Sequence, residues 1–122
     1  MPKDADPAIW AKALKIHKKA IVIDGHNDIT SPLVDEDYDL RNSSAGKFHL
    51  GGDPFHTDLA RLKAGGVTAE FFAIYVSGST MKTGGAMRRA VDMIDSTNRE
   101  TERNPGSLIS CTTAAEIRRA KK

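Results

Sequence analysis

Two short runs of β-branched and aromatic residues constrain the fold more than any other feature of this sequence. They are AIVID at residues 20–24 and VTAEFFAIYV at residues 67–76. Apart from Glu70, the one charged exception in the second run, both runs are apolar on both faces, which is typical of strands buried in a parallel sheet. Asp6 and Pro7 have the form of an N-cap and first helical residue, and they open a predicted helix over residues 7–19.

The segments between and after these strands are read from turn and capping signals. Residues 29–55 lose periodicity and are rich in turn formers, so we predict a long loop there. Thr57 or Asp58 is expected to cap a short helix that ends at Gly65-Gly66. A longer helix is predicted over residues 86–103, where helical spacing of apolar residues returns.

The last part of the chain contains a third strand candidate and a final helix. Residues 108–111 form a short apolar run, and Thr113 to Glu116 have the form of a capping box that opens a helix running to Lys122. About three parallel strands alternating with helices predict an α/β fold built of right-handed βαβ units. Because a parallel sheet needs cover on both faces, we expect residues 1–122 to be a single incomplete domain.

Composition excludes several classes of function. Lys and Arg total 18 against 16 Asp and Glu, a balance that gives no electrostatic support for nucleic-acid binding. The single cysteine, Cys111, rules out an internal disulfide or a thiolate zinc cluster. No apolar stretch approaches the roughly 20 residues of a membrane span. The chain as written is therefore predicted to be cytoplasmic, whereas a longer precursor with a signal would be exported or membrane-associated.

The motif VIDGHND, residues 22–28, contains the strongest candidate site. His26 and Asp28 are two positions apart at the exit of the first predicted strand, so their side chains project to the same side. Imidazole nitrogen and carboxylate oxygen suit zinc or a similar divalent metal. On spacing alone, the alternative is a turn in which Asp24 and Asp28 make hydrogen bonds and His26 is incidental. Asp24 is either a partner that orients a ligand or a turn former.

A longer match gives this motif a specific identity. VIDGHND, followed after the predicted loop by HTDLARLKAGGVTAEFFAIYV at residues 56–76, resembles the opening of the membrane (renal) dipeptidase family of zinc metallopeptidases. In that family an Asp-Gly-His-Asn-Asp strand end precedes a Leu-Lys-Ala-Gly-Gly-Val turn and an aromatic strand. The later segment SLISCTTAAEIRRAKK is similar in order and character. The resemblance extends from about Ile16 onward.

The resemblance implies the N-terminal part of a TIM-like (β/α)8 metal-dependent hydrolase barrel with two zinc ions. His26 and Asp28 match the first metal ligands of the family, whereas its other ligands and substrate-binding residues match no position here. No catalytic site is therefore expected to be complete in this chain, and at most part of a zinc site. The implied activity is hydrolysis of dipeptides by a zinc-activated water. Because a catalytic zinc ordinarily takes three protein ligands, we predict that this polypeptide alone is inactive.

Two alternatives to a truncated zinc dipeptidase stay open. The chain is then either a non-catalytic remnant or interaction module that self-associates through an uncovered sheet edge, or a small metal-binding domain that completes its site as a homo-oligomer. A two-fold axis would bring two His26/Asp28 pairs together in the second case.

Overall fold

The computed structural model describes residues 2–121, which contain two parallel strands and five α-helices. In chain order these are α1 (Pro7–Lys19), β1 (Val22–Asn27), α2 (Thr30–Asp35), α3 (Leu59–Ala64), β2 (Val67–Phe72), α4 (Ala86–Arg103) and α5 (Ala114–Ala120). A 3₁₀ helix, Gly78–Lys82, lies between β2 and α4. The α/β class is as predicted, and α1 has the expected range. Met1 and Lys122, the predicted limits of the domain, lie outside the described residues.

The two strands pair directly, in parallel, with Val22 opposite Val67 and Asn27 opposite Phe72. β1 begins later than the predicted residues 20–24, because Ala20 still donates its N–H to the last carbonyls of α1. β2 ends at Phe72, short of the predicted residue 76. The chain turns into α2 soon after Asn27, so β2 has no neighbouring backbone to pair with beyond that point.

The prediction of a third strand at residues 108–111 is wrong. Within residues 2–121 this segment pairs with no strand. The N–H groups of Ser107 and Leu108 both bond to the Asn104 carbonyl, so the chain turns at its start. Leu108 packs instead on the core. A strand needs a partner ladder as well as an apolar run, and here only the run is present.

The long loop predicted over residues 29–55 contains one short helix, α2, and most of the core. Ile29, Leu33 and Leu40 form the buried cluster, against which Tyr38, Leu59, Phe72 and Leu108 pack. Pro32, which suggests a turn in the sequence, lies in the first turn of α2. Proline is tolerated there because backbone N–H groups of a first helical turn have no intrahelical partner.

The strands themselves are less buried than predicted. Ile23 in β1 keeps 48% of its surface exposed, and Phe71 in β2 keeps 60%. The core therefore lies at the carboxyl ends of the strands and under α2 and α4, while the sheet faces stay largely open. This places the candidate metal motif, at the end of β1, next to the best-packed part of the chain.

Helix α4 packs mainly on α2. Its buried side chains are Met93, Ser96 and Glu100, which share one face. Two nitrogens of Arg89 also bond the two carboxylate oxygens of Asp35 at the end of α2, each at 2.6 Å. Over the described part of the chain, no helix is long and apolar enough to cross a membrane.

Candidate metal site

His26 and Asp28 meet at the carboxyl end of β1. The His26 Nε2 atom lies 3.1 Å from Asp28 Oδ1. Because the carboxylate accepts, the imidazole donates its Nε2 proton in this hydrogen bond. Both side chains are about two-thirds exposed, at 64% and 67% of their surface. The two predicted ligands are thus brought together, and they face solvent.

The donor set fits a divalent metal such as zinc as one edge of a coordination shell. Two donors at about 2.0–2.1 Å from one tetrahedral zinc lie about 3.3 Å apart, close to the separation of this pair. A metal at this position would replace the proton that now joins the two atoms. Among residues 2–121, no group of three or more His, Cys, Asp or Glu side chains converges on one point. The described part of the chain therefore presents two candidate ligands, His26 and Asp28.

Asp24 contacts the backbone of His26. Its Oδ1 atom accepts the His26 N–H at 3.1 Å, across Gly25. This is the two-residue side-chain turn that aspartate commonly makes. Asp24 thus shapes the segment of the candidate ligands through the main chain, since this hydrogen bond involves the His26 backbone and not the imidazole.

Asn27, between the two ligands, uses its side chain in the opposite direction. Its Nδ2 atom donates to Thr57 Oγ1 at 3.2 Å and to Glu70 Oε2 at 3.3 Å. Its Oδ1 atom accepts the Ile29 N–H at 3.1 Å. Sequence reasoning assigned no role to Asn27, and it treated Thr57 only as a helix cap. One signal was available in the sequence: Asn27 is a polar residue between His26 and Asp28, and alternation along a strand directs its side chain away from theirs.

Glu70 is the one charged residue in the apolar run of the second strand, and it is partly buried. Burial raises the pKa of its carboxyl group; the bond from Asn27 opposes this rise, and the nearby Asp24 carboxyl adds to it. The exception noted in the sequence is therefore a polar contact between the two strands.

The turn that follows the ligands is fixed to the end of β2. The Ala73 N–H donates to the Asn27 carbonyl at 2.9 Å, and the Thr30 hydroxyl donates to the Ala73 carbonyl. Thr30 is almost fully buried. Both strand ends thus act as one unit around His26 and Asp28.

A cavity of about 320 Å³ lies after β2 and beside α4. Its lining residues are Ser31, Tyr75, Ser77, Thr80, Arg89 and Met93. Tyr75 lines this cavity and does not belong to the core, since 62% of its surface is exposed.

Two of the other histidines, His17 and His49, have hydrogen-bond partners outside this motif. His49 is mostly buried: its Nδ1 atom lies 3.0 Å from Glu36 Oε1, and its ring contacts Phe55. His17, on α1, donates from Nε2 to the Gly65 carbonyl at 2.8 Å. His56 is exposed. Within the described chain, then, His26 is the histidine that meets a carboxylate at a strand end.

Comparison with models of known protein families identifies the family of the chain. The model of the membrane dipeptidases, peptidase family M19, matches residues 10–122. This match covers nearly the whole chain and confirms the resemblance carried by VIDGHND and the segment at 56–76. The chain therefore belongs to the membrane dipeptidase family, a family of hydrolases.

Proposed function

We propose that this chain supplies the first metal-ligand pair of a zinc dipeptidase, with His26 and Asp28 as ligands. The observation that carries the proposal is the 3.1 Å approach of His26 Nε2 and Asp28 Oδ1 at the carboxyl end of a strand. In TIM barrels and other parallel α/β folds, active-site residues lie at that end of the strands. The two parallel strands would then be the first of a TIM-like barrel.

The chemistry of the pair fits hydrolysis of a peptide bond. When bound, zinc would polarise the scissile carbonyl and lower the pKa of a water molecule. The residues of this chain hold the ion from one side, and their high exposure leaves the opposite side open to further ligands and to substrate. Family membership supports dipeptides as the substrate class.

We further propose that the polypeptide of 122 residues is inactive by itself. Two side chains converge on the metal position, and a catalytic zinc ordinarily takes three protein ligands plus water. Such a site binds a metal weakly and leaves the remaining coordination positions to water. The other ligands of a site with two zinc ions would have to come from outside these residues.

Zinc titration of the chain tests the ligand assignment. We expect a weak single site, located by shifts of the His26 imidazole ¹⁵N resonances, and lost in His26→Ala and Asp28→Ala. His56→Ala is the matched control, since it removes an exposed histidine outside the motif. Equal zinc binding by the wild type, His26→Ala and Asp28→Ala would contradict the assignment.

A chimera tests the dipeptidase function. Residues 10–122 would replace the matching segment of a full-length membrane dipeptidase, and hydrolysis of a dipeptide would be measured. We expect a folded, active chimera that loses at least about a hundredfold in kcat/KM with His26→Ala, and no turnover by the isolated chain. A folded, inactive chimera, or turnover by the isolated chain, would overturn this part of the proposal.

A second candidate function is self-association without catalysis. Ile23 and Phe71 on the two strands, and Ile21 just before β1, are exposed, and exposed apolar surface is a feature of interaction sites. Under this alternative the chain forms oligomers in a zinc-independent way. Light scattering behind size-exclusion chromatography, over a range of concentrations with zinc or chelator, distinguishes the two: a monomer at all concentrations excludes self-association.

A further inference from the structure

The side chain of Asn27 is fully engaged although its neighbours in sequence face solvent. Both Nδ2 protons have acceptors, in Thr57 and Glu70, and Oδ1 accepts from Ile29. A flipped amide would place its oxygen against the Glu70 carboxyl and its nitrogen against the Ile29 N–H, losing these bonds. The orientation of the amide is thus determined by its partners.

This arrangement determines the path of the backbone through both ligands. The bond from Ile29 to Asn27 Oδ1 closes a turn directly over Asp28. The bonds from Nδ2 hold the residue between the ligands against β2 and against the segment that precedes α3. Since His26 and Asp28 are the immediate neighbours of Asn27, a shift of Asn27 moves both metal-binding side chains.

We propose that Asn27, held by Glu70 and Thr57, is the positioning residue of the metal-ligand pair. The inference rests on the proposed function, because it concerns the geometry of the same ligands. Asn27, Glu70 and Thr57 do not contact the metal position; they act through the main chain of the turn. Glu70 and Thr57 come from two separate segments, so the network couples the ligands to the packing of the second strand and of the segment before α3.

The network is expected to affect zinc affinity by fixing the relative positions of the two donor atoms. An exposed two-ligand site has no other ligands to correct its geometry, so its metal affinity depends on how narrowly the two donors are held. Partners beyond the ligands themselves typically change metal affinity by about 10- to 100-fold. An apolar residue at position 70 would suit the surrounding run of the strand, yet the residue there is a carboxylate that bonds Asn27.

The main test compares two replacements of Glu70. Glu70→Gln keeps a side-chain oxygen that accepts from Asn27, whereas Glu70→Leu removes the acceptor at similar volume. The measurement is the zinc dissociation constant by titration calorimetry, with His26 ¹⁵N shifts to locate the ion. We expect Glu70→Leu to weaken zinc binding about tenfold and Glu70→Gln to stay within about twofold of the wild type.

A second pair of variants separates positioning from loss of stability. Thr57→Val removes an acceptor for Asn27, and Thr68→Val removes one for the Val22 N–H at the other end of the sheet. Each replaces one hydroxyl by a methyl group. We expect both variants to lower the thermal unfolding temperature by a similar amount, but only Thr57→Val to weaken zinc binding. This pair also decides the matter if Glu70→Leu does not fold.

The outcomes distinguish this inference from the function on which it rests. The positioning role is overturned, and the ligand pair stands, if His26→Ala abolishes zinc binding while Glu70→Leu and Glu70→Gln have the same zinc dissociation constant. If Glu70→Leu does not fold, equal zinc dissociation constants of Thr57→Val and Thr68→Val lead to the same conclusion. If the wild type and His26→Ala bind zinc equally, the metal site fails and the positioning role falls with it.

Discussion

Asp24 and Glu70 are register partners on the two parallel strands, so two carboxyl groups lie on one face of the sheet. Burial, together with the neighbouring Asp24 carboxyl, raises the pKa of Glu70 above its ordinary value of 4.5. The folded protein therefore holds the Glu70 proton more tightly than the unfolded chain, and ionisation of Glu70 opposes folding.

The first prediction concerns the pH dependence of Glu70→Gln. Relative to this variant, the wild type should keep its stability below pH 4.5 and lose it as pH rises through the raised pKa of the folded state. The measurement is the free energy of unfolding in urea for both proteins over a pH series. A difference that stays constant, or that favours the wild type as pH rises, would contradict the shift.

The second prediction concerns a buried carboxylate beside the core. Asp58, only 1% exposed, accepts from the Ser44 N–H at 2.8 Å, from the Ser44 hydroxyl at 2.7 Å and from the Arg61 N–H at 2.8 Å. Burial by itself would raise the pKa of Asp58, but these bonds outweigh it and lower the pKa. Asp58→Asn turns one acceptor into a donor and should cost about 2–3 kcal/mol in urea unfolding.

Asp53→Asn is the control for this change. Asp53 lies on an exposed turn, so its replacement should stay within about 0.5 kcal/mol of the wild type. The stability supplied by Asp58 should also decline as pH falls from its ordinary pKa of 3.8 through the lowered value, since its proton is bound more weakly in the folded state. An Asp58→Asn variant as stable as Asp53→Asn would refute the stabilising role of Asp58, the N-cap residue of α3.

The third prediction concerns the turn between α3 and β2. Gly66 has a φ of +69°, and a Cβ atom there would lie 2.8 Å from His17 Nε2. Gly66→Ala should therefore displace the imidazole from the Gly65 carbonyl as well as strain the backbone, at a cost of about 2–3 kcal/mol.

Gly46→Ala isolates the backbone part of this cost. Gly46 has a similar φ of +71°, with nothing within 4 Å of the added Cβ. Thermal or urea unfolding should show Gly66→Ala to be worse by about 1 kcal/mol, the value of one hydrogen bond. In a His17→Ala background this excess should disappear. If the excess persists there, the contact with His17 is not its cause.

The fourth prediction concerns the contact between α2 and α4. Arg89 binds both oxygens of Asp35, and lysine cannot reproduce this paired geometry. Arg89→Lys should cost about 0.5–1 kcal/mol, a modest value because Asp35 is half exposed. Arg88→Lys, at a highly exposed pair within α4, should change the unfolding free energy by less than about 0.3 kcal/mol. Equal effects in urea unfolding would argue against a special role for the Arg89 pair.

Local signals in the sequence were sufficient for several elements. The Asp6-Pro7 start predicts α1, and the structure shows Asp6 accepting from two backbone N–H groups of the first turn. The Thr113 capping box also forms as predicted. Capping involves residues within a few positions of each other, so it does not depend on the remainder of the fold.

In the candidate site, too, local relationships were predictable from the sequence and distant contacts were not. The spacing of His26 and Asp28 indicated that they would face one side, and the structure brings them to 3.1 Å. The contacts of Asn27 could not be predicted from the sequence, because its partners Thr57 and Glu70 are 30 and 43 residues away. No local pattern encodes which distant acceptors an amide will meet.

The sequence by itself determined the family, the α/β class and the candidate ligand pair, because each depends on a short motif or on the order of elements. Only the tertiary structure decided where the core lies. Residues 29–55 have no regular period, yet Ile29, Leu33 and Leu40 bury themselves there, while Ile23 and Phe71 in the predicted strands stay exposed. Burial depends on what packs over a side chain, and for this chain that is decided by contacts far apart in sequence.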